Sequence, residues 1–161
     1  MTIDLDDPAF TVGVVGAGAM GRGIAQIAAA GGFRVKMTDA RGEASHDARA
    51  FIARMLRRRA EKRQCSAEEA EAAIARIEIV HGLAELAAAG VVVEAVIEDL
   101  ETKQALFAEL ERCVSEECIL ASNTSSLMIT DIAAKCARPG RVAGAHFFNP
   151  VPLMRLVEVV D

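Results

Sequence analysis

The stretch Val12-Gly13-Val14-Val15-Gly16-Ala17-Gly18-Ala19-Met20-Gly21 decides how the rest of the chain is read. It is an apolar strand that ends in G-x-G-x-x-G and passes into the helix-like Arg22-Gly23-Ile24-Ala25-Gln26-Ile27-Ala28, the pattern of a dinucleotide site. The glycines have separate tasks. Gly16 makes the tight turn out of the strand, Gly18 lets the main chain approach a pyrophosphate, and Gly21 lets the helix pack closely on the strand. The helix N-terminus, at Ala19 and Met20, then offers unpaired N–H groups and a positive dipole end to the phosphates.

A glycine-rich turn alone is weak evidence in a chain rich in alanine and glycine, so its context matters. A second strand, Phe33-Arg34-Val35-Lys36-Met37-Thr38, ends in Asp39, which lies 18 residues past Gly21. An acid there can hydrogen-bond both hydroxyls of an adenine ribose and repel a 2′-phosphate. The bland alternative, a solvated turn acid, does not account for the strand, glycine turn, helix, strand order around it. Arg41 could favour a 2′-phosphate, but the intact acid at the strand end points to NAD.

The 161 residues suit one domain with a single well-buried core, and 52% hydrophobic with 25% charged residues is a globular composition. A net charge of −5 argues against nucleic acid as the main partner. No apolar run approaches the roughly 18 residues of a membrane span. The acidic start Met1-Thr2-Ile3-Asp4-Leu5-Asp6-Asp7 is unlike a signal peptide, so a cytoplasmic protein with no membrane partner is expected. Cys65, Cys113, Cys118 and Cys136 form no C-x-x-C, and His46, His81 and His146 are far apart. Reduced structural thiols and no metal site are expected.

Along the chain, residues 43–63 read as a long helix. Ser66 with Glu69 forms a capping box opening a second helix to about residue 76, so that 43–76 make a protruding helical hairpin. Strands follow at 77–80 and at Val91-Val92-Val93-Glu94-Ala95-Val96, with a helical turn at 83–88 between them. A helix over 99–114 precedes the strand 118–121, which leads into the polar loop Ser122-Asn123-Thr124-Ser125-Ser126. After a short helix at 131–135 come a strand at 142–145, the turn Asn149-Pro150-Val151-Pro152 and a last strand at 156–160. This alternation predicts an α/β, Rossmann-like, doubly wound and mostly parallel sheet with helices on both faces. It would occupy residues 10–161 behind a tail of residues 1–9, with its ligand crevice at the carboxyl ends of the strands.

Four phrases, in this order and spacing, resemble the NAD-binding domain of the 3-hydroxyacyl-CoA dehydrogenase family. They are Gly16-x-Gly18-x-Met20-Gly21-x-Gly23-Ile24-Ala25, Val93-Glu94-Ala95-Val96-Ile97-Glu98-Asp99-Leu100, Ala121-Ser122-Asn123-Thr124-Ser125-Ser126-Leu127, and the segment from His146-Phe147-Phe148-Asn149 to Pro150-Val151-Pro152-Leu153-Met154. Together they cover nearly the whole chain. The resemblance implies NAD as cofactor and an acyl-CoA as substrate partner. The implied reaction is oxidation of a (3S)-3-hydroxyacyl-CoA to the 3-oxoacyl-CoA, in fatty-acid β-oxidation or 3-hydroxybutyryl-CoA metabolism.

Residue by residue, His146 matches the family's catalytic histidine, a base for the hydroxyl proton, and Glu158 its carboxylate partner. Twelve residues apart, the two could meet across the turn at 149–152. Ser125 matches the serine that hydrogen-bonds the substrate oxygen near the nicotinamide, Asn149 a residue contacting cofactor or substrate, and Asn123 a further candidate. Ala95, Glu98 and Lys103 fall on the cofactor side, although Glu98 and Lys103 read equally well as ordinary helix-start charges. The basic run Arg54, Arg57, Arg58, Arg59, Lys62 and Arg63 reads on its own as a solvated helix face. The resemblance makes it a candidate site for coenzyme A phosphates, with Lys62 as the matching lysine. Met55 stands where some relatives place a serine for the same purpose.

The family continues into a C-terminal helical domain that completes the acyl pocket, and this domain is absent from the sequence. An oxidoreductase domain, weak or inactive by itself, is therefore expected beside an alternative, a stand-alone NAD(H)-binding module without turnover. Either should leave an apolar face at Phe147, Phe148, Val151, Leu153 and Met154, to be covered by the helical domain or by self-association.

Overall fold

The computed structural model describes residues 7–160; the acidic start, residues 1–6, lies outside the described residues. The glycine-turn strand is β1 (Thr11–Val15), followed by α1 (Ala19–Ala30) and β2 (Arg34–Thr38). Next come α2 (Gly42–Glu61), α3 (Ala67–Ala75), β3 (Ile77–Ile79), a 3₁₀ turn (Leu83–Leu86) and β4 (Val91–Glu94). The chain continues through α4 (Leu100–Cys113), β5 (Ile119–Ser122), α5 (Ile129–Ala133), β6 (Val142–Phe147) and β7 (Val157–Val160).

One seven-stranded sheet runs β3-β2-β1-β4-β5-β6-β7. The first six strands are parallel, and β7 pairs antiparallel with β6. The strand order reverses between β1 and β4, which opens a crevice at their carboxyl ends. This is the Rossmann-like sheet expected from the sequence.

Side-chain alternation divides the core between the two faces. Val12, Val14, Val35, Met37 and Val93 pack under α1, α2 and α3, whereas Val15, Val92 and Leu120 pack under α4 and α5 with Phe107, Leu110 and Ile132. Strands buried on both sides must be apolar throughout, which explains the continuous Val-rich runs of β1 and β4.

The α2–α3 hairpin differs from a simple protrusion. Ile52, Leu56, Ala70 and Ile74 belong to the first core cluster, so the base of the hairpin is structural. The tip carries exposed Arg57, Arg58, Lys62 and Arg63. Its second helix begins at the expected capping box: Ser66 Oγ accepts from Glu69 N–H at 3.0 Å, and Glu69 Oε2 accepts from Ser66 N–H at 2.7 Å. Among the described residues no helix is long and apolar enough to cross a membrane.

Candidate active site

The glycine turn has the conformation its sequence requires. Gly16 has φ +99°, and its N–H donates to Thr38 O at 2.8 Å, which ties the turn to the end of β2. A Cβ at Gly16 would lie 2.5 Å from Ala95 O, and one at Gly21 only 1.7 Å from Gly16 O, so both positions exclude any side chain. Gly18 behaves differently. A Cβ there meets nothing within 4 Å, and among the described residues no side chain caps α1. The first N–H groups of the helix, at Ala19 and Met20, thus face open space, a cradle that fits a dinucleotide pyrophosphate.

Asp39 follows the end of β2 with little of its side chain exposed. Its Oδ2 accepts from Ala17 N–H at 2.8 Å and its Oδ1 from Arg41 N–H at 2.9 Å. The acid therefore braces the glycine turn, at the strand end where the sequence leads one to expect a ribose-binding acid. Arg41 Nε is 3.6 Å from Oδ1, close enough to offset part of its charge.

At the other half of the sheet, antiparallel pairing places the start of β7 beside the end of β6. His146 and Glu158 are direct cross-strand partners in this register, and His146 Nδ1 lies 2.8 Å from Glu158 Oε2. With the carboxylate accepting, the proton sits on Nδ1 and the Nε2 lone pair is left to receive one. The imidazole also packs on Phe148, ring centroids 4.5 Å apart. His146 and Glu158 share a cleft of about 340 Å³ with Thr124, Ser125 and Ser126. Asn123 fixes this end of the sheet: its Oδ1 accepts from Phe147 N–H at 2.9 Å.

The loop after β5 is held by carboxylates. Glu98 Oε1 accepts from Ser125 N–H at 3.0 Å, from Ser126 N–H at 3.3 Å and Oγ at 3.2 Å, and from Thr124 Oγ1. Burial alone would raise the Glu98 pKa. The hydrogen bonds from Thr124 and Ser125 and the nearby Lys103 ammonium outweigh it and hold the carboxyl at about 2.

Lys103, expected beside the nicotinamide, is instead buried, its side chain 1% exposed. Its ammonium contacts Glu94 Oε1 at 2.5 Å and Glu98 Oε2 at 3.3 Å. A buried cation needs such partners, and they draw it under the loop and away from the cleft surface. Glu94, fully buried at the end of β4, was not singled out from the sequence. An acid at the end of a Val run was the available signal.

Asn149 is exposed in the turn after β6, and Ala95 closes against Gly16. Lys62 is exposed at the end of α2, on the half of the molecule away from β6. Of its basic neighbours, Arg57 is engaged by Glu71 at 2.6 Å, and Arg54 lies 5.2 Å from the Phe51 ring. Val151, expected on the uncovered face, is buried; a Cβ on Gly23 would come 2.8 Å from Val151 Cβ, so the bare glycine is what seats this turn on α1. Leu153 and Met154 are exposed, whereas Phe147 and Phe148 are half-buried.

A phosphate cradle at the turn after β1 and an acid after β2, at the carboxyl ends of a doubly wound parallel sheet, define a dinucleotide-binding domain. The profile of the family described as 3-hydroxyacyl-CoA dehydrogenase, NAD binding domain, matches residues 11–161, and the chain belongs to this family. Its cofactor is NAD. It is 48% identical to a probable 3-hydroxybutyryl-CoA dehydrogenase of Bacillus subtilis over 147 residues, 91% of this chain and 51% of that protein. It is 46% identical to a 3-hydroxyadipyl-CoA dehydrogenase of Escherichia coli over 151 residues, 94% of this chain and 32% of that protein. The crystal structure of a 3-hydroxybutyryl-CoA dehydrogenase from Escherichia coli K12 superposes with a TM-score of 0.91 at 45% identity, covering 94% of this chain and 32% of that one. The chain thus spans from about a third to about half of the length of these relatives.

Proposed function

We propose that this domain supplies the NAD site and the catalytic base of an enzyme that oxidises a (3S)-3-hydroxyacyl-CoA to the 3-oxoacyl-CoA. The observation that carries this reading is the His146–Glu158 hydrogen bond of 2.8 Å, in one cleft with Ser125. Removing hydrogen from a secondary alcohol requires a proton acceptor at the oxygen as the C–H bond breaks. His146 Nε2 takes the hydroxyl proton, and the carboxylate of Glu158 holds the productive tautomer and stabilises the imidazolium that forms. Ser125 hydrogen-bonds the substrate oxygen and orients it toward His146. NAD, when bound, supplies the hydride acceptor.

Gly16, Gly18, Ala19, Met20 and Gly21 hold the pyrophosphate, and Asp39 the adenine ribose. Ala95, Glu98, Asn123 and Asn149 line the nicotinamide end, with Lys103 acting from beneath Glu98. Lys62 and its exposed basic neighbours attract the coenzyme A phosphates. The acyl pocket is completed by a helical domain of the kind the longer relatives have room for, placed over the exposed Leu153, Met154 and β7.

In the dehydrogenase that carries this domain, His146→Gln should lower kcat by roughly 10²–10⁴ and leave the NADH dissociation constant nearly unchanged. Glu158→Gln should also be slow, with a displaced pH–rate profile. Wild-type turnover by His146→Gln places the base elsewhere and overturns the reading.

A further inference from the structure

Glu94 is hard to explain by stability alone. It is a carboxylate with no exposure on a central strand, paired with an ammonium only 1% exposed. Apolar residues of like volume commonly do as well or better than such a buried pair, so its presence calls for a directional role. The hydrogen bonds supply one. Glu94 Oε1 accepts from Val96 N–H at 2.7 Å and from Lys103, and its Oε2 accepts from Ser122 Oγ at 2.6 Å. Glu94 and Ser122 are neighbours in the β4–β5 register, so the sheet itself holds them together.

An ionised carboxylate accepts only, and a serine hydroxyl has one proton to give. Once Ser122 gives its proton to Glu94, its oxygen faces the loop as an acceptor. It receives Thr124 N–H at 3.2 Å. Thr124 repeats the logic one step on: its hydroxyl donates to Glu98, and its oxygen accepts from Leu127 N–H at 3.0 Å and Ser126 N–H at 3.4 Å. Lys103 joins the two carboxylates, since its Nζ contacts both. The hydroxyls of Ser122 and Thr124 thus each point the proton at an acid and a lone pair at an amide of the loop carrying Ser125.

We propose that Glu94 is a positioning residue: through Ser122 and Lys103 it sets the direction of the hydrogen bonds that hold the 122–127 loop, and so the place of Ser125 in the cleft beside His146. The proposal rests on the cleft being the cofactor and substrate site. Glu94 touches neither ligand; it acts through Ser122, Lys103 and Glu98.

Glu94→Gln keeps the volume but must present an NH₂ donor to Ser122 or to Lys103, which breaks the polarity. Because that variant leaves Lys103 without its main counter-charge, two others are needed. Ser122→Ala interrupts the path to Thr124 while the Glu94–Lys103 pair stays, and Glu94→Gln with Lys103→Met removes both charges together. Each is to be examined by thermal melting, by NADH titration, and by the amide NMR shifts of Thr124, Ser125 and Ser126.

The double variant should melt closer to wild type than Glu94→Gln does. It and Ser122→Ala should both show displaced loop amide shifts and NADH binding weakened by about tenfold. Recovery of the melting temperature without recovery of the loop is the signature of positioning. If both variants fold with wild-type loop shifts and NADH affinity, the pair is structural filling and the proposal fails. None of these readouts involves turnover. Failure of the dehydrogenase reading would appear separately, as unimpaired catalysis by His146→Gln.

Discussion

Asp39 holds the amides of Ala17 and Arg41, and in the proposed function it also binds the adenine ribose. In that role its charge would repel a 2′-phosphate, while its bond to Ala17 keeps the glycine turn in place. NADH should therefore bind much more tightly than NADPH. Asp39→Ala should weaken NADH binding by on the order of 1–3 kcal/mol, the size of lost charge-assisted hydrogen bonds, and narrow the gap between the two cofactors. Titrating both by their fluorescence checks this, and equal affinities in the unaltered chain would remove Asp39 from the ribose. Asp39 was legible because a strand, a turn and a helix fix its distance from Gly16. His146 and Glu158 were legible through a motif, and the antiparallel register then explains how twelve residues of separation become a 2.8 Å contact. Glu94 and Lys103 were not legible as a pair. One reads as an acid in an apolar strand and the other as a solvated helix charge, and only the packing of α4 on β4 and β5 shows that each neutralises the other.

The turn between β1 and α1 separates its own glycines by what each touches. Gly21→Ala drives a methyl group to 1.7 Å from the Gly16 carbonyl, a backbone atom that cannot yield without moving the strand. It should cost at least about 3 kcal/mol of stability. Gly18→Ala enters open space at φ −67°, so the fold should lose under about 1 kcal/mol, while NADH affinity falls because the methyl occupies the pyrophosphate approach. Melting curves paired with NADH titration distinguish the two; equal loss of stability would mean that the turn is not the cradle described. The strands themselves were readable from their Val-rich runs and the second hairpin helix from its capping box. The seating of the turn after β6 was less so. Gly23 and Val151 are far apart in sequence, and their contact depends on how the chain turns back after β6, which no local pattern encodes.

At the scale of the whole molecule the two edges of the sheet are unequal. The β3 edge packs against α2 and α3, whereas every residue of β7 is exposed. Leu153, Leu156, Val159 and Val160 stand 77%, 53%, 76% and 51% exposed, an apolar margin beside the His146–Glu158 pair. A strand edge of this kind invites pairing with another chain, and apolar side chains on it add a driving force that charges on an edge would otherwise oppose. The 161-residue chain should accordingly self-associate with rising concentration in sedimentation experiments. Val159→Lys should shift it toward the monomer by placing a charge on the edge. The same substitution should leave NADH affinity unchanged, since the glycine turn and Asp39 lie on β1 and β2, on the other side of β4, β5 and β6. A chain that stays monomeric at its highest soluble concentration, or whose association is indifferent to Val159→Lys, would show that this margin is not the adhesive surface.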